Sequence, residues 1–265
     1  MTTPPRCLSI ATSDSGGGAG IQADLKAFTA AGCHGMTAIV GVTAQNTEAV
    51  LAVHPLPTGV ITAQLDAVYA DIGVDVVKSG ALLSADIVAT VAGYLEQHPT
   101  RLVIDPVLCA STGATLLDRE GVEILIERLL PLATVVTPNL AEARVLAGTD
   151  GDRRTLARAI TGRGAHAVLI TGGDASGFDL LFDGVDYLEI PIAWVGGSAT
   201  HGTGCTHSAT LAAELAWGTP LPEAARRAAA VTAAAIRSGL EGIGAGAGPV
   251  AVGQASGASQ RVRTR

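Results

Sequence analysis

The stretch HGTGCTHS, His201 to Ser208, carries residue types that could do chemistry. Gly202 and Gly204 let successive backbone N–H groups face one point, and the residues after them read as the start of a helix. Orphan amides and the positive end of a helix dipole together make an anion hole. An ordinary glycine turn capped by Thr203 or Thr206 fits the same residues. Cys205 falls in the first helical turn. A helix N-terminus lowers a thiol's pKa and a bound polyphosphate raises it, so this cysteine suits a nucleophile, a proton acceptor or a small side chain that fits. A zinc site from His201, Cys205 and His207 is disfavoured, because positions 205 and 207 point to different helix faces. The lysine of a GxxxxGK[ST] phosphate loop is missing here, Ser15 to Ile21 does not match GxGxxG, and no GxSxG elbow appears.

Other polar residues stand where apolar runs end. Asp105 precedes Pro106, which forces an extended exit. Asn139 and Glu142 follow Pro138 at a helix start, where each could simply cap a helix or turn. Oxygen-bearing residues around an anion hole also suit Mg²⁺, which binds through one or two carboxylates plus substrate phosphates. Lys78 ends an apolar run; a lysine there is costly unless it meets an anion or snorkels to water.

The elements that must hold these residues alternate. Strands are expected at Cys7–Ala11, Met36–Val42, Val74–Lys78, Leu102–Ile104, Thr134–Val136 and Ala167–Thr171. Helices are expected at Ile21–Ala31, Thr58–Asp71, Gly121–Leu130, Ala141–Leu146 and Leu156–Arg163, with another from an N-cap at Ser84 to about His98. Phe178–Phe182 and Tyr187–Ile192 flank Asp183-Gly184 as a hairpin. Two alanine-rich helices follow, to about Leu240. The pattern implies a three-layer α/β/α sandwich with a mostly parallel sheet. The strands end in Ser13-Asp14, Thr43 to Asn46, Lys78 to Gly80, Asp105-Pro106, Thr137 to Asn139 and Thr171 to Gly173. In a parallel sheet all of these share the carboxyl edge, where sites lie.

The bulk composition sets limits. The chain has 265 residues, 48% of them hydrophobic, and a net charge of −7. That suits one domain over residues 1–249, with residues 250–265 expected as a flexible glycine-rich tail. A broad basic face for nucleic acid is not expected. No apolar run approaches the roughly 20 residues of a membrane span. The four cysteines form no CxxC pair, which fits reduced thiols in the cytoplasm.

Longer blocks carry a resemblance. DSGGGAGIQADLKAF (Asp14 to Phe28), TAQNT (Thr43 to Thr47), DPV (Asp105 to Val107), LLPLATVVTPNLAEA (Leu129 to Ala143) and THGTGCTHSA (Thr200 to Ala209) closely resemble the hydroxymethylpyrimidine/phosphomethylpyrimidine kinases of thiamine biosynthesis, in the ribokinase-like superfamily. The resemblance implies phosphoryl transfer from ATP with Mg²⁺, first to a pyrimidine hydroxymethyl group and then to the monophosphate. It implies that Gly202, Thr203, Gly204 and Cys205 form the anion hole, with Cys205 nearest the accepting hydroxyl. Gln45 would read the aminopyrimidine edge, since an amide both donates and accepts. Ala19, Thr43, Thr12, Ala81 and Leu108 would border the ring. Asp105, Asn139, Glu142, Thr171 and Gly173 would handle ATP and its phosphates, with Asp105 and Glu142 holding Mg²⁺ directly or through water. A homodimer and a small-molecule substrate are implied too.

Several positions depart from the family pattern. Thr12 replaces a glycine against the substrate, Ala81 a methionine on the ring, and Ser111 and Thr171 replace lysines near the phosphates. The losses at 111 and 171 bear most on the second phosphorylation. Two other functions stay open: kinase for a related heteroaromatic alcohol such as pyridoxal, and a non-catalytic pyrimidine sensor. The loop from Cys109 to Thr115 is the expected lid.

Overall fold

A computed structural model describes residues 3–110, 112–173, 177–192 and 196–253. Strands β1 (Arg6–Asp14), β2 (His34–Gln45), β3 (Val50–Pro55), β4 (Val76–Ser79), β5 (Arg101–Ile104), β6 (Val135–Val136), β7 (Val168–Ile170), β8 (Phe178–Phe182) and β9 (Tyr187–Pro191) form one sheet. Its order is β3-β2-β1-β4-β5-β6-β7-β8-β9. From β2 to β7 every neighbouring pair is parallel, while β3 and the β8–β9 hairpin run antiparallel at the two edges.

Side chains alternate across the strands and bury two cores. Leu8, Ile10, Val77, Leu102, Ile104 and Val168 pack under α2 (Thr58–Ala67), α3 (Ala85–Gln97), α4 (Arg119–Ile124), α5 (Leu140–Ala147) and α6 (Arg153–Thr161). Cys7, Val76, Val103, Val135 and Leu169 pack under α1 (Gly20–Ala30), α7 (Thr203–Ala216) and α8 (Leu221–Arg237). The small residues of α7 and α8 let the two helices lie close together. The result is the expected α/β/α sandwich.

Ser84 caps α3 as expected, its hydroxyl accepting the Ile87 N–H at 3.4 Å. Asp183 accepts the N–H groups of Val185 and Asp186 in the β8–β9 turn. Two of the expected helices change winding near their ends. α2 passes into a π turn, Val68–Ile72, closed by the Gly73 N–H on the Val68 carbonyl. α4 passes into a π turn, Leu125–Leu129, and then a 3₁₀ turn, Leu130–Leu132, where Pro131 has no N–H to continue the ladder.

Strand β3 was not among the expected elements. Asn46 accepts the N–H groups of Glu48 and Ala49, turning the chain back on β2. The chain expected to be free from residue 250 is held at its start: Val250 and Ala251 are buried, and the Val250 N–H bonds the His201 carbonyl. Residues from 254 lie outside the described residues. Among those described, no helix is long and apolar enough to cross a membrane.

Candidate active site

The carboxyl ends of the parallel strands open into a cleft of about 240 Å³. Thr12, Ala19, Thr43, Gln45, Ala81 and Asp105 line it, as do Asn139, Glu142, Thr171, Gly202, Gly204 and Cys205. Sequence reasoning had brought together nearly this whole set. Three expected residues fall elsewhere. Leu108 is buried in the hydrophobic core, and its neighbours Val107 and Cys109 face the cleft instead, because successive side chains of extended chain alternate. Thr203 and Gly173 line an adjoining chamber of about 400 Å³, with Asn139, Thr171, Gly204 and His207 shared between the two. Apolar walls from Ile192, Ala229, Ala233 and Ile236 close that second chamber. In the expected lid, Cys109 bridges to Thr115, while Ser111 lies outside the described residues.

Gly202 is the N-cap of α7 with φ +84°, and a Cβ there would overlap the Gly18 carbonyl oxygen. The cap carries no side-chain acceptor, so glycine-turn geometry starts the helix, with the Thr203 N–H turned back to the Thr200 carbonyl at 3.2 Å and Gly202, Gly204 and Cys205 lining the cleft. The Thr203 hydroxyl turns back to the Thr200 carbonyl at 2.7 Å.

Asp14 and His201 pair across the cleft; the sequence had placed Asp14 only at a strand end and His201 only in a disfavoured zinc set. His201 Nε2 lies 3.0 Å from Asp14 Oδ2. The Asp14 carboxylate also accepts the backbone N–H groups of Gly16, Gly18 and Ala19. Burial alone would raise this carboxyl; His201 and the Ala19 and Gly16 amides more than offset it and hold it below the ordinary range. The glycine-rich loop therefore wraps its own aspartate, and the aspartate ties that loop to the anion-hole turn.

The backbone N–H of Gly20, at the start of α1, favours the charged form of the Cys205 thiol without outweighing burial. Burial pushes the thiol up to about 12, against the pull of Lys78, and Asp105 and Asp24 add to the rise. The helix N-terminus does not win here. His201 and His207 do not join the thiol in a metal set: His207 Nε2 lies 3.3 Å from Asp179, and His201 is on Asp14.

Asn139 and Glu142 form a reciprocal capping box at the start of α5, with distances of 3.0 and 2.9 Å. The capping role and the cleft-lining role thus hold together. Burial pushes the Glu142 carboxyl up to about 7, Asp105 adds to this, and the Asn139 and Leu108 amides oppose it. At the opposite end of the cleft, Thr43 Oγ1 lies 3.2 Å from both the Ser13 carbonyl and Gln45 Oε1. Among the described residues, no three His, Cys, Asp or Glu side chains converge as a metal cage. The carboxylates of Asp105 and Glu142 on one cleft fit Mg²⁺, a hard cation that takes most of its ligands from phosphates and water.

The arrangement resembles known proteins along nearly its whole length. The family model described as phosphomethylpyrimidine kinase matches residues 14–251. A hydroxymethylpyrimidine/phosphomethylpyrimidine kinase of Rhizobium meliloti is 48% identical over 253 residues, covering 92% of this chain and 95% of that one. Among solved structures, an ADP complex of Bacillus subtilis pyridoxal kinase superposes with a TM-score of 0.87 at 37% identity, covering 94% of this chain and 98% of that one. The phosphomethylpyrimidine kinase of Clostridium difficile 630 gives 0.78 at 36% identity, covering 88% and 99%. An anion-hole turn, a capped carboxylate pair and a two-chambered cleft at one sheet edge thus coincide with a match over most of the chain, and the chain belongs to the phosphomethylpyrimidine kinase family.

Proposed function

We propose that this kinase transfers the γ-phosphoryl group of ATP to 4-amino-5-hydroxymethyl-2-methylpyrimidine and then to the monophosphate, in thiamine biosynthesis. The observation that carries the reading is that Gln45 lines the same small cleft as Gly202, Gly204 and Cys205. A pyrimidine edge against the Gln45 amide, beside Thr12, Thr43, Ala19 and Ala81, leaves its alcohol toward Cys205. The backbone amides of Gly202 and Gly204 take the charge that develops on the transferring group. Phosphoryl transfer needs alignment and charge neutralisation more than a strong base. With its thiol raised to about 12, Cys205 meets the alcohol as a neutral thiol. As a neutral thiol it keeps the oxygen in line and takes no proton; the alcohol proton passes to a phosphoryl oxygen or to solvent as the new O–P bond forms.

The larger chamber suits the nucleotide, its apolar walls for the base and Thr203 and Gly173 near the phosphates. Bound Mg²⁺ neutralises phosphate charge; Asp105 and Glu142 would hold it, directly or through water. Free thiols at all four cysteines suit a reducing, cytoplasmic setting. A second copy of the chain fits the exposed edge of the sheet, where Leu51 is 73% exposed on β3.

A second reading, phosphorylation of pyridoxal, is favoured by the 0.87 TM-score to the Bacillus subtilis pyridoxal kinase. One experiment separates them. The pure protein is incubated with ATP-Mg²⁺ and the pyrimidine alcohol, its monophosphate or pyridoxal, and products are resolved by mass. Mono- and diphosphorylated pyrimidine are expected; product from pyridoxal alone would replace the first reading by the second, and tight binding without product would leave a sensor. Cys205→Ala should lower kcat by roughly 100-fold and leave KM within about threefold.

A further inference from the structure

Beneath the cleft runs a polar seam that the transfer step, as described so far, does not use. On the face where Cys7, Val76 and Val103 pack under α1 and α7, Ser9, Asp24, Lys78, Asp105 and Ser208 replace hydrocarbon. The Lys78 side chain is 0% exposed, and its Nζ lies 2.9 and 3.1 Å from the two Asp24 oxygens and 3.7 Å from Asp105 Oδ2. The Ser9 hydroxyl donates to Asp24, and the Ser208 hydroxyl donates to Asp105 Oδ2 at 2.9 Å. Of these five residues, Asp105 alone lines the cleft.

We propose that Lys78 is a positioning residue for phosphoryl transfer: its ammonium, shut between Asp24 and Asp105, fixes Asp105 at the floor of the cleft and sets a permanent positive charge behind Cys205. The proposal rests on the phosphoryl-transfer reading of this cleft. The strand position would ordinarily take valine or leucine. A buried ion pair is commonly no better for stability than well-packed hydrocarbon, so stability alone does not account for a lysine here. The packing is also close: a Cβ on Gly80 would come within 3.0 Å of Lys78 Nζ. The ammonium therefore has one place to be, and Asp105 is set against it.

The charges facing Cys205 come from three elements besides its own. They are Lys78 from β4, Asp105 after β5, and Asp24 together with the Gly20 amide from α1. The ammonium stands between two carboxylates, 2.9 Å from Asp24 and 3.7 Å from Asp105, and that double pairing offsets the cost of burying its charge. A fixed cation under the anion hole needs no reorganisation when negative charge builds on the transferring group, and such preorganised charge is where kinases gain most.

The test is steady-state kinetics of Lys78→Met alongside calorimetric binding of the pyrimidine alcohol to the same variant. Lys78 does not line the cleft, so the dissociation constant should stay within about threefold while kcat falls at least about 100-fold. A structural role alone would not split the two. The double variant Asp24→Asn/Lys78→Met removes both charges of the close pair; it keeps the test alive should the single variant not fold, and should remain slow. Turnover within threefold of the parent in either folded variant overturns the proposal. Absence of turnover in the parent with every alcohol would overturn the phosphoryl-transfer reading instead.

Discussion

Glu142 has to cap a helix and to sit beside Asp105 at the cleft, and its titration records the conflict. Its carboxyl rises from the ordinary 4.5 to about 7. The folded protein therefore holds this proton more tightly than the unfolded chain does. Between those two values stability falls as pH rises, and the penalty is fully present above the folded value. A glutamine keeps the capping geometry and has no such proton. Glu142→Gln is expected to be about 1–3 kcal/mol more stable than the parent at pH 8, and no more stable at pH 4, by urea unfolding. Parallel stability–pH curves for the two proteins would refute this. At this scale the sequence spoke where chemistry lay in short spacings. Gly202 to Cys205, Asn139 with Glu142, and Asp105 before Pro106 were all readable. Lys78 was readable only as a residue needing an anion or a route to water, and its carboxylate partners, Asp24 and Asp105, come from other elements. The Asp14–His201 pair was not, because its partners are 187 residues apart and only the sheet order brings them together.

Elements were legible where one pattern dominated. The parallel strands are short apolar runs with polar ends, and the β8–β9 hairpin announces itself by Asp183-Gly184. β3 was missed because its apolar residues face outward, so alternation gave no buried side to count. The helix ends were blurred by π and 3₁₀ turns, which keep helical periodicity while changing the ladder. The junction between the Asp14 loop and α7 permits a sharper test. Gly202 has φ +84°, and a side chain there meets Gly18 backbone rather than a movable side chain. Gly202→Ala is therefore expected to push the two loops apart, costing at least about 2 kcal/mol by thermal or urea unfolding. It should also lower kcat/KM for the alcohol, because Ala19, Gly20 and Gly202 itself line the cleft on the two loops it would part. A variant with parent-like stability and turnover would show that the interlock is slack.

At the scale of the whole molecule, the sheet collects the chemistry at its carboxyl edge and leaves the outer side of β3 open. β3 pairs with β2 on one side only, and Val53 stands opposite Thr43, which lines the cleft. An open edge with exposed apolar side chains invites pairing with another chain. Leu51 at 73%, Val42 at 42% and Val53 at 40% exposure leave much apolar surface to water on this hairpin. A second copy docked there would remove that surface and stand beside the wall that holds Thr43 and Gln45. Leu51→Lys puts a charge on the edge without touching either core, so the fold should be kept, with circular dichroism unchanged. Sedimentation at micromolar concentration should then give half the parent's mass. A parent that already sediments as a monomer would refute the dimer, and a variant that stays dimeric would move the interface elsewhere. Because the hairpin borders the cleft, the monomeric variant should also show a raised KM for the alcohol and an unaltered KM for ATP, whose proposed chamber is lined by the residues after β7 together with β8, α7 and α8.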